Sequence, residues 1–229
     1  MSGGATKEKI LDAAEELFSE EGFAATSIRA ITTRAGVNLA ALNYHFGSKD
    51  GLIDAVFERR IGALNRERTR LLDELESKPS REGVITLEGI LEAFLSPAIR
   101  LASDPERGGK VFMRLMGRAH IEPGDFFKKV IAKQFEELFH RFNAAFQKVL
   151  PHLPPEELYW RIHFVVGAMA FTMSNKLALR YMETFRKEGE QVAEAILDPE
   201  AGVVLARLVS FTAAGLRAEV AETSGGETR

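Results

Sequence analysis

Asn43, Tyr44, His45 and Lys49 stand close together in the run Leu42-Asn-Tyr-His-Phe-Gly-Ser-Lys49, and their side chains suit the edges and phosphates of a nucleic acid. Asparagine can pair in bidentate fashion with adenine, and small apolar side chains such as Leu39 and Ala40 can touch a thymine methyl. Tyrosine or histidine can donate to phosphate. On spacing alone, an ordinary helical corner is the alternative, with Asn43 solvated and Tyr44 packed against a neighbouring helix.

Such residues need a helix that presents them and a corner that holds it. Thr26 or Ser27 can cap a first helix whose apolar positions Ile28, Ile31 and Ala35 recur at helical spacing. Gly36 supplies the corner, because glycine accepts the left-handed conformation that often closes a helix, and Asn38 can cap the next one. In that second helix Val37, Leu42 and Phe46 face the domain, leaving Leu39, Ala40, Asn43 and Tyr44 outward. Charge follows the same division. From Gly22 to Lys49 there is no Asp or Glu, whereas Arg29, Arg34, Lys49 and His45 are present. Acids crowd the flanks instead, at Glu15, Glu16, Glu20 and Glu21 before the segment and at Asp50, Asp54 and Glu58 after it. The net charge of the whole chain is -3, so the acid-free face, rather than a global basic field, suits phosphate.

The opening helix Ile10-Leu-Asp-Ala-Ala-Glu-Glu-Leu-Phe18, then Gly22-Phe23, Thr26-Ser27, Ala35-Gly36-Val37 and Leu42 to Lys49 together resemble the TetR/AcrR transcriptional regulators over roughly the first sixty residues. The resemblance implies phosphate contacts at Tyr44, His45 and Lys49 and a backbone contact at Thr26 or Ser27. It places Thr33, Asn38, Leu39, Ala40 and Asn43 near the groove. With Arg29 and Arg34 from the charge pattern, these form the expected double-stranded DNA surface.

The 229 residues allow a helix-turn-helix domain over 1–50 and a larger helical effector-binding and dimerisation domain over 51–220, with 221–229 read as a disordered tail. The absence of cysteine excludes disulfides and thiol chemistry. The N-terminus lacks an apolar signal core and no stretch of about twenty residues is free of charge, so the reading is cytoplasmic, with no membrane partner. The fold class is all-α. Ser48 caps a long helix with a stripe at Ile53, Phe57, Leu64, Leu71 and Leu75, which stops before Pro79; Lys78 to Gly83 is a connector. Further helices are expected near Thr86 to Ser103, with a kink at Pro97, Gly109 to Ala119, Asp125 to Leu150, Leu158 to Met182 and Ala201 to Ala218.

From Leu158 to Met182 apolar residues point in nearly every direction, and a helix apolar all round is buried all round. Val203, Val204, Leu205, Leu208, Val209, Phe211 and Leu216 repeat the theme in the last helix. Two such helices ask for a second copy, and the resemblance implies a four-helix interface, so a homodimer is expected. Its two reading helices would stand ~34–36 Å apart on a palindrome.

Sixteen Phe against three Tyr and one Trp make the aromatic surface mostly nonpolar. Phe112, Met113, Met116, Phe126, Phe127, Phe135, Phe139, Phe142 and Phe146 concentrate there, faced by Trp160, Phe164, Met169 and Met173. Each alone reads as core. Together Phe112, Met113, Met116, Phe135, Phe139, Phe142, Trp160, Phe164, Met169 and Met173 form a candidate site for a small apolar effector. By resemblance to TetR-type repressors that respond to fatty acids or their coenzyme A thioesters, the effector would be a fatty acid or acyl-CoA. Arg114, Arg118, Arg161 or Lys176 could meet its head group, or else form surface ion pairs.

Catalysis is not expected, nor is a cofactor or metal. The sequence has no glycine-rich phosphate loop, no nucleophile elbow and no His pair at ligand spacing. His140 one turn from Glu136 reads as surface pairing, and His163 as a hydrogen-bonded core residue. The competing class is a helical ligand-binding or protein-interaction module without sequence-specific DNA binding.

Overall fold

The computed structural model describes residues 3–77, 85–104, 108–121, 125–174 and 200–220, all helix, turn or irregular chain with no strand among them. The helices are α1 (Gly3–Glu21), α2 (Ile28–Ala35), α3 (Leu39–Phe46), α4 (Lys49–Phe57), α5 (Ala63–Ser77), α6 (Leu87–Ser103), α7 (Gly109–Ile121), α8 (Asp125–Val149), α9 (Pro155–Ser174) and α10 (Ala201–Arg217). A π turn, Glu58–Gly62, joins α4 to α5 without a break. The connector at 78–83, the continuation of α9 past Ser174, the side chains of Arg118, Phe126, Phe127 and Lys176, and the tail 221–229 lie outside the described residues.

The chain divides into two compact units. The first comprises residues 1–70 and 97–139. Its α1 packs against α2, α3, α4 and α7. Ile10, Ala14, Phe18, Ile31, Leu42, Leu52, Val56 and Phe57 are buried. The Phe23 ring bridges Phe18 at 5.3 Å and Phe57 at 5.6 Å, pinning the loop after α1 to α4. The second unit comprises residues 71–96 and 140–229. There Phe142 lies between Phe94 at 5.2 Å and Phe146 at 6.5 Å, and α9 packs on α10. Helix α6 runs on through Pro97, and the division between units falls at that residue.

The stripe expected along α5 is met only in part: Leu64, Arg68 and Leu72 occupy the buried positions while Leu71 and Leu75 are half-buried. Arg68 is fully buried and hydrogen-bonds Asn65 Oδ1 at 3.3 Å, while Asn65 donates to the Gln134 carbonyl at 2.7 Å. Burial lowers the Arg68 guanidinium to about 9.

Candidate nucleic-acid interface

The corner is built by its caps. Ser27 Oγ accepts from the Ala30 amide at 3.1 Å, Asn38 Oδ1 from Ala41 at 2.8 Å and Ser48 Oγ from Gly51 at 3.0 Å, so α2, α3 and α4 each open on a satisfied N-terminus. Gly36, at φ 64, closes α2 in the left-handed region and donates its N–H to the last turn. A side chain there would carry the strain that glycine avoids.

These constraints leave α3 with one buried residue, Leu42, and an outward face of Leu39, Ala40, Asn43 and Tyr44. Tyr44 is 86% exposed and Leu39 54%. Val37 and Phe46 are half-buried on the opposite side, as the sequence pattern requires. His45 is half-buried with its ring edge-on to Tyr44 at 5.1 Å. Lys49 donates to the Ala24 carbonyl at 3.3 Å, tying α4 to the loop before α2. An ammonium has further donors for a phosphate.

Ser27, Arg29, Thr33 and Arg34 are exposed on or beside α2, with Arg34 bonded to Glu16 at 2.6 Å. That pair draws Arg34 toward α1. Thr26 is the exception in the expected set. It is fully buried, and its hydroxyl donates to the Gly22 carbonyl at 2.7 Å and lies 3.3 Å from that of Leu17. Its place in the pattern is therefore structural, and Ser27 is the residue presented outward.

The remaining candidate residues fall in separate units. Phe112, Met113, Met116, Phe135 and Phe139 belong to the first, and Phe142, Trp160, Phe164, Met169 and Met173 to the second. Phe112 is buried, Met113, Met116 and Phe135 are half-buried, and Phe139 is exposed. Phe142 is buried between the Phe94 and Phe146 rings. Trp160 and Phe164 do not face inward as expected. They are 54% and 64% exposed on α9, beside Tyr159 and Phe171. His163, expected in the core, is exposed with its ring edge-on to Trp160 at 5.9 Å. The reason is that α9 buries a single stripe, Leu158, Arg161, Ile162 and Val165, against its own unit.

Arg161 is committed to the fold and not to a ligand head group. Its Nη1 donates to the carbonyls of Gly215, Leu216 and Ala218 at 3.2, 2.9 and 2.6 Å, and its Nη2 to Glu219 at 3.2 Å. Its Nε meets Glu157 Oε1 at 2.7 Å. The guanidinium caps the negative end of α10. Nothing in the sequence distance between the two helices announces this.

The model of bacterial regulatory proteins of the tetR family matches residues 10–56, and that of the tetracyclin repressor-like C-terminal domain matches residues 92–215, which is 124 of the 229 residues. The chain belongs to the TetR family. An HTH-type transcriptional repressor of Mycobacterium tuberculosis is 40% identical over 91 residues, covering 37% of this TetR-family chain and 46% of the relative. The chain thus spans just under half the length of that curated relative. A solved structure of the transcriptional regulator FadR from Bacillus subtilis in complex with stearoyl-CoA covers 89% of this chain and 97% of its own, with a TM-score of 0.60 at 15% identity. A TetR-family transcriptional regulator from Bordetella parapertussis covers 90% and 93%, with a TM-score of 0.60 at 16% identity. At these identities the structures establish the shared fold. Among the described residues no helix is long and apolar enough to cross a membrane.

Proposed function

We propose that this TetR-family chain is a transcriptional repressor that reads a palindromic operator as a homodimer and is released by a small apolar ligand, a fatty acid or acyl-CoA. The observation that carries the DNA-reading part is α3. Between two capped ends it exposes Leu39, Ala40, Asn43 and Tyr44, in a segment without Asp or Glu that also carries Arg29, Thr33, Asn38, His45 and Lys49. The curated relative from M. tuberculosis is itself a transcriptional repressor. In this reading residues 1–50 are the DNA-binding domain and 51–220 the effector-binding and dimerisation domain.

The homodimer is supported by the outer faces of α9 and α10. Tyr159, Trp160, Phe164 and Phe171 on the first, with Val203 and Phe211 on the second, are exposed in a single chain. Large apolar side chains exposed in this way mark an interaction surface, and a second copy supplies the same side chains in return. The apolar ligand is supported by Phe112, Met113 and Met116 on α7 and by the fold shared with a regulator solved with stearoyl-CoA. Release would follow from differential affinity of the ligand for the subunit arrangement that misplaces the reading helices.

Titration of duplexes over a salt series tests the reading. Sequence-specific affinity should fall steeply with salt and be lost in Tyr44→Ala and Lys49→Ala, whereas a protein-interaction module would protect no duplex. Native mass spectrometry of the purified protein tests the other two parts, through the mass of the assembly and of any acyl chain it retains.

A further inference from the structure

Outside the reading surface, charge in the first unit gathers where α1 meets the π turn. Glu15 is buried on α1, and its two oxygens are held by consecutive arginines: Oε1 accepts from Arg60 Nε at 2.5 Å and Oε2 from Arg59 Nη2. Arg59 Nη1 also reaches Asp12 Oδ1 at 2.7 Å and Glu8 Oε2 at 3.4 Å. Glu8, Asp12 and Glu15 are one stripe of α1 at helical spacing, all directed at one guanidinium. On its other side, Arg60 lies against Gly108, just before α7; a Cβ added there would stand 2.6 Å from Arg60 Nη2. Arg59 Nε is buried with no hydrogen-bond partner among the described residues.

This joint differs from an exposed ion pair in two respects. Its carboxylate is out of water and shared by both arginines, so removing that charge takes the one buried acid from Arg59 and Arg60 and leaves Arg59 with only the exposed Asp12 and Glu8. It also sits on a π turn, a departure from regular helix found mostly where side chains must be aimed. The helix it grips, α1, is the one on which α2 and α3 pack. Holding α1 to the π turn and to the start of α7 therefore holds the reading helix in one place within the first unit.

We infer that Glu15, Arg59 and Arg60 are positioning residues, which fix the pitch of α3 and thereby set how strictly the protein measures the separation of two half-sites. The inference rests on the reading of the chain as a two-fold DNA reader. One base pair added between half-sites moves them apart by ~3.4 Å and rotates one about the other by ~35°. A rigid joint cannot follow that change; a loosened one can. Phosphate contacts, which carry non-specific binding, are not touched by the joint.

The test selects a binding duplex from random sequence with the wild-type protein, then remakes it with one base pair added or removed at its centre. Affinities of wild type, Glu15→Gln and Gly108→Asn are measured at one salt concentration, beside a non-specific duplex. Wild type should lose ~100-fold on the altered spacing and Glu15→Gln less than ~10-fold, with non-specific affinity unchanged within about twofold. Gly108→Asn, which accepts the left-handed backbone while displacing the Arg60 guanidinium, should shift discrimination in the same direction by less. It decides the matter if Glu15→Gln proves unfolded by circular dichroism. Variants that discriminate spacing as steeply as wild type overturn the inference, and any fall in Tm is then only structural. A wild-type protein that selects no duplex overturns the functional reading itself.

Discussion

Helices α3 and α9 both present aromatic residues to solvent, yet the two exposures differ in kind. On α3 the ring is one tyrosine, 86% exposed, set among asparagine, alanine and a charge-free stretch bounded by basic residues. On α9 the exposed set is Tyr159, Trp160, Phe164 and Phe171, with Val166 beside them and a buried arginine beneath. The first face can satisfy phosphates and base edges; the second can satisfy only another apolar surface. Exposure of a large side chain is thus uninformative until its neighbours are read with it.

The largest effect is expected on α9, whose exposed aromatic side chains are proposed to meet a second copy. Phe164→Glu combined with Phe171→Glu should turn a micromolar dimer into a monomer and lower specific DNA affinity by ~100-fold or more, with α3 untouched. Sedimentation velocity and duplex titration read both, and a persistent dimer with undiminished affinity would falsify the assignment.

On the α3 side, Asn43→Ala should reduce specific affinity by about 1–3 kcal/mol and relax preference at one base position, the dimer being preserved. Equal loss on every duplex would instead make Asn43 a backbone contact. Thr26→Val sharpens the contrast from within the same motif. Losing a buried hydroxyl that serves two carbonyls should cost about 1–3 kcal/mol in urea unfolding, while the folded variant binds DNA as wild type does. Weaker binding by the fully folded variant would return Thr26 to the reading surface.

The smallest effect concerns the bidentate pair of Arg217 and Glu88, at 2.6 and 2.9 Å in the second unit. Arg217 holds the Glu88 carboxyl below its ordinary value of 4.5. A depressed carboxylate stabilises the fold above its unfolded pKa, and that contribution is lost as pH falls below about 4.5 through the lowered value. Both groups are about half exposed, so the pair is worth ~0.2–1 kcal/mol. Wild type and Glu88→Gln should differ in stability at neutral pH and converge in acid; a constant difference across that range argues against the pair.

Much of the first unit was legible because its signals are local. Ser27, Gly36, Asn38 and Ser48 act on amides within three residues of themselves or on their own backbone, and such chemistry is written in short strings. The outward set of α3 follows once Leu42 is placed inside. What stayed hidden depends on packing that short strings do not write. Thr26 resembled a surface residue because its hydroxyl is taken up by the carbonyls of Leu17 in α1 and Gly22 just after it, which its residue type does not announce. The π turn at Glu58–Gly62 was not foreseen, since no residue type marks that insertion. The all-round apolar pattern of α9 could not assign Trp160 and Phe164 to the exposed face. That assignment required knowing which stripe α10 covers. The stripe of Glu8, Asp12 and Glu15 opposite Arg59 and Arg60 was present in the sequence, but only pairing across 44 residues gives it meaning.

Arg161 carries a consequence for the order in which the protein assembles. Its guanidinium is buried among carbonyls of residues 215–219, which lie more than fifty residues later in the chain. During synthesis α9 emerges with a cation that has Glu157 as a neighbour but none of those carbonyls to bond. The second unit therefore closes late, when α10 arrives and lays its C-terminal end over the waiting arginine, and until then the aromatic side of α9 stands without its own subunit behind it.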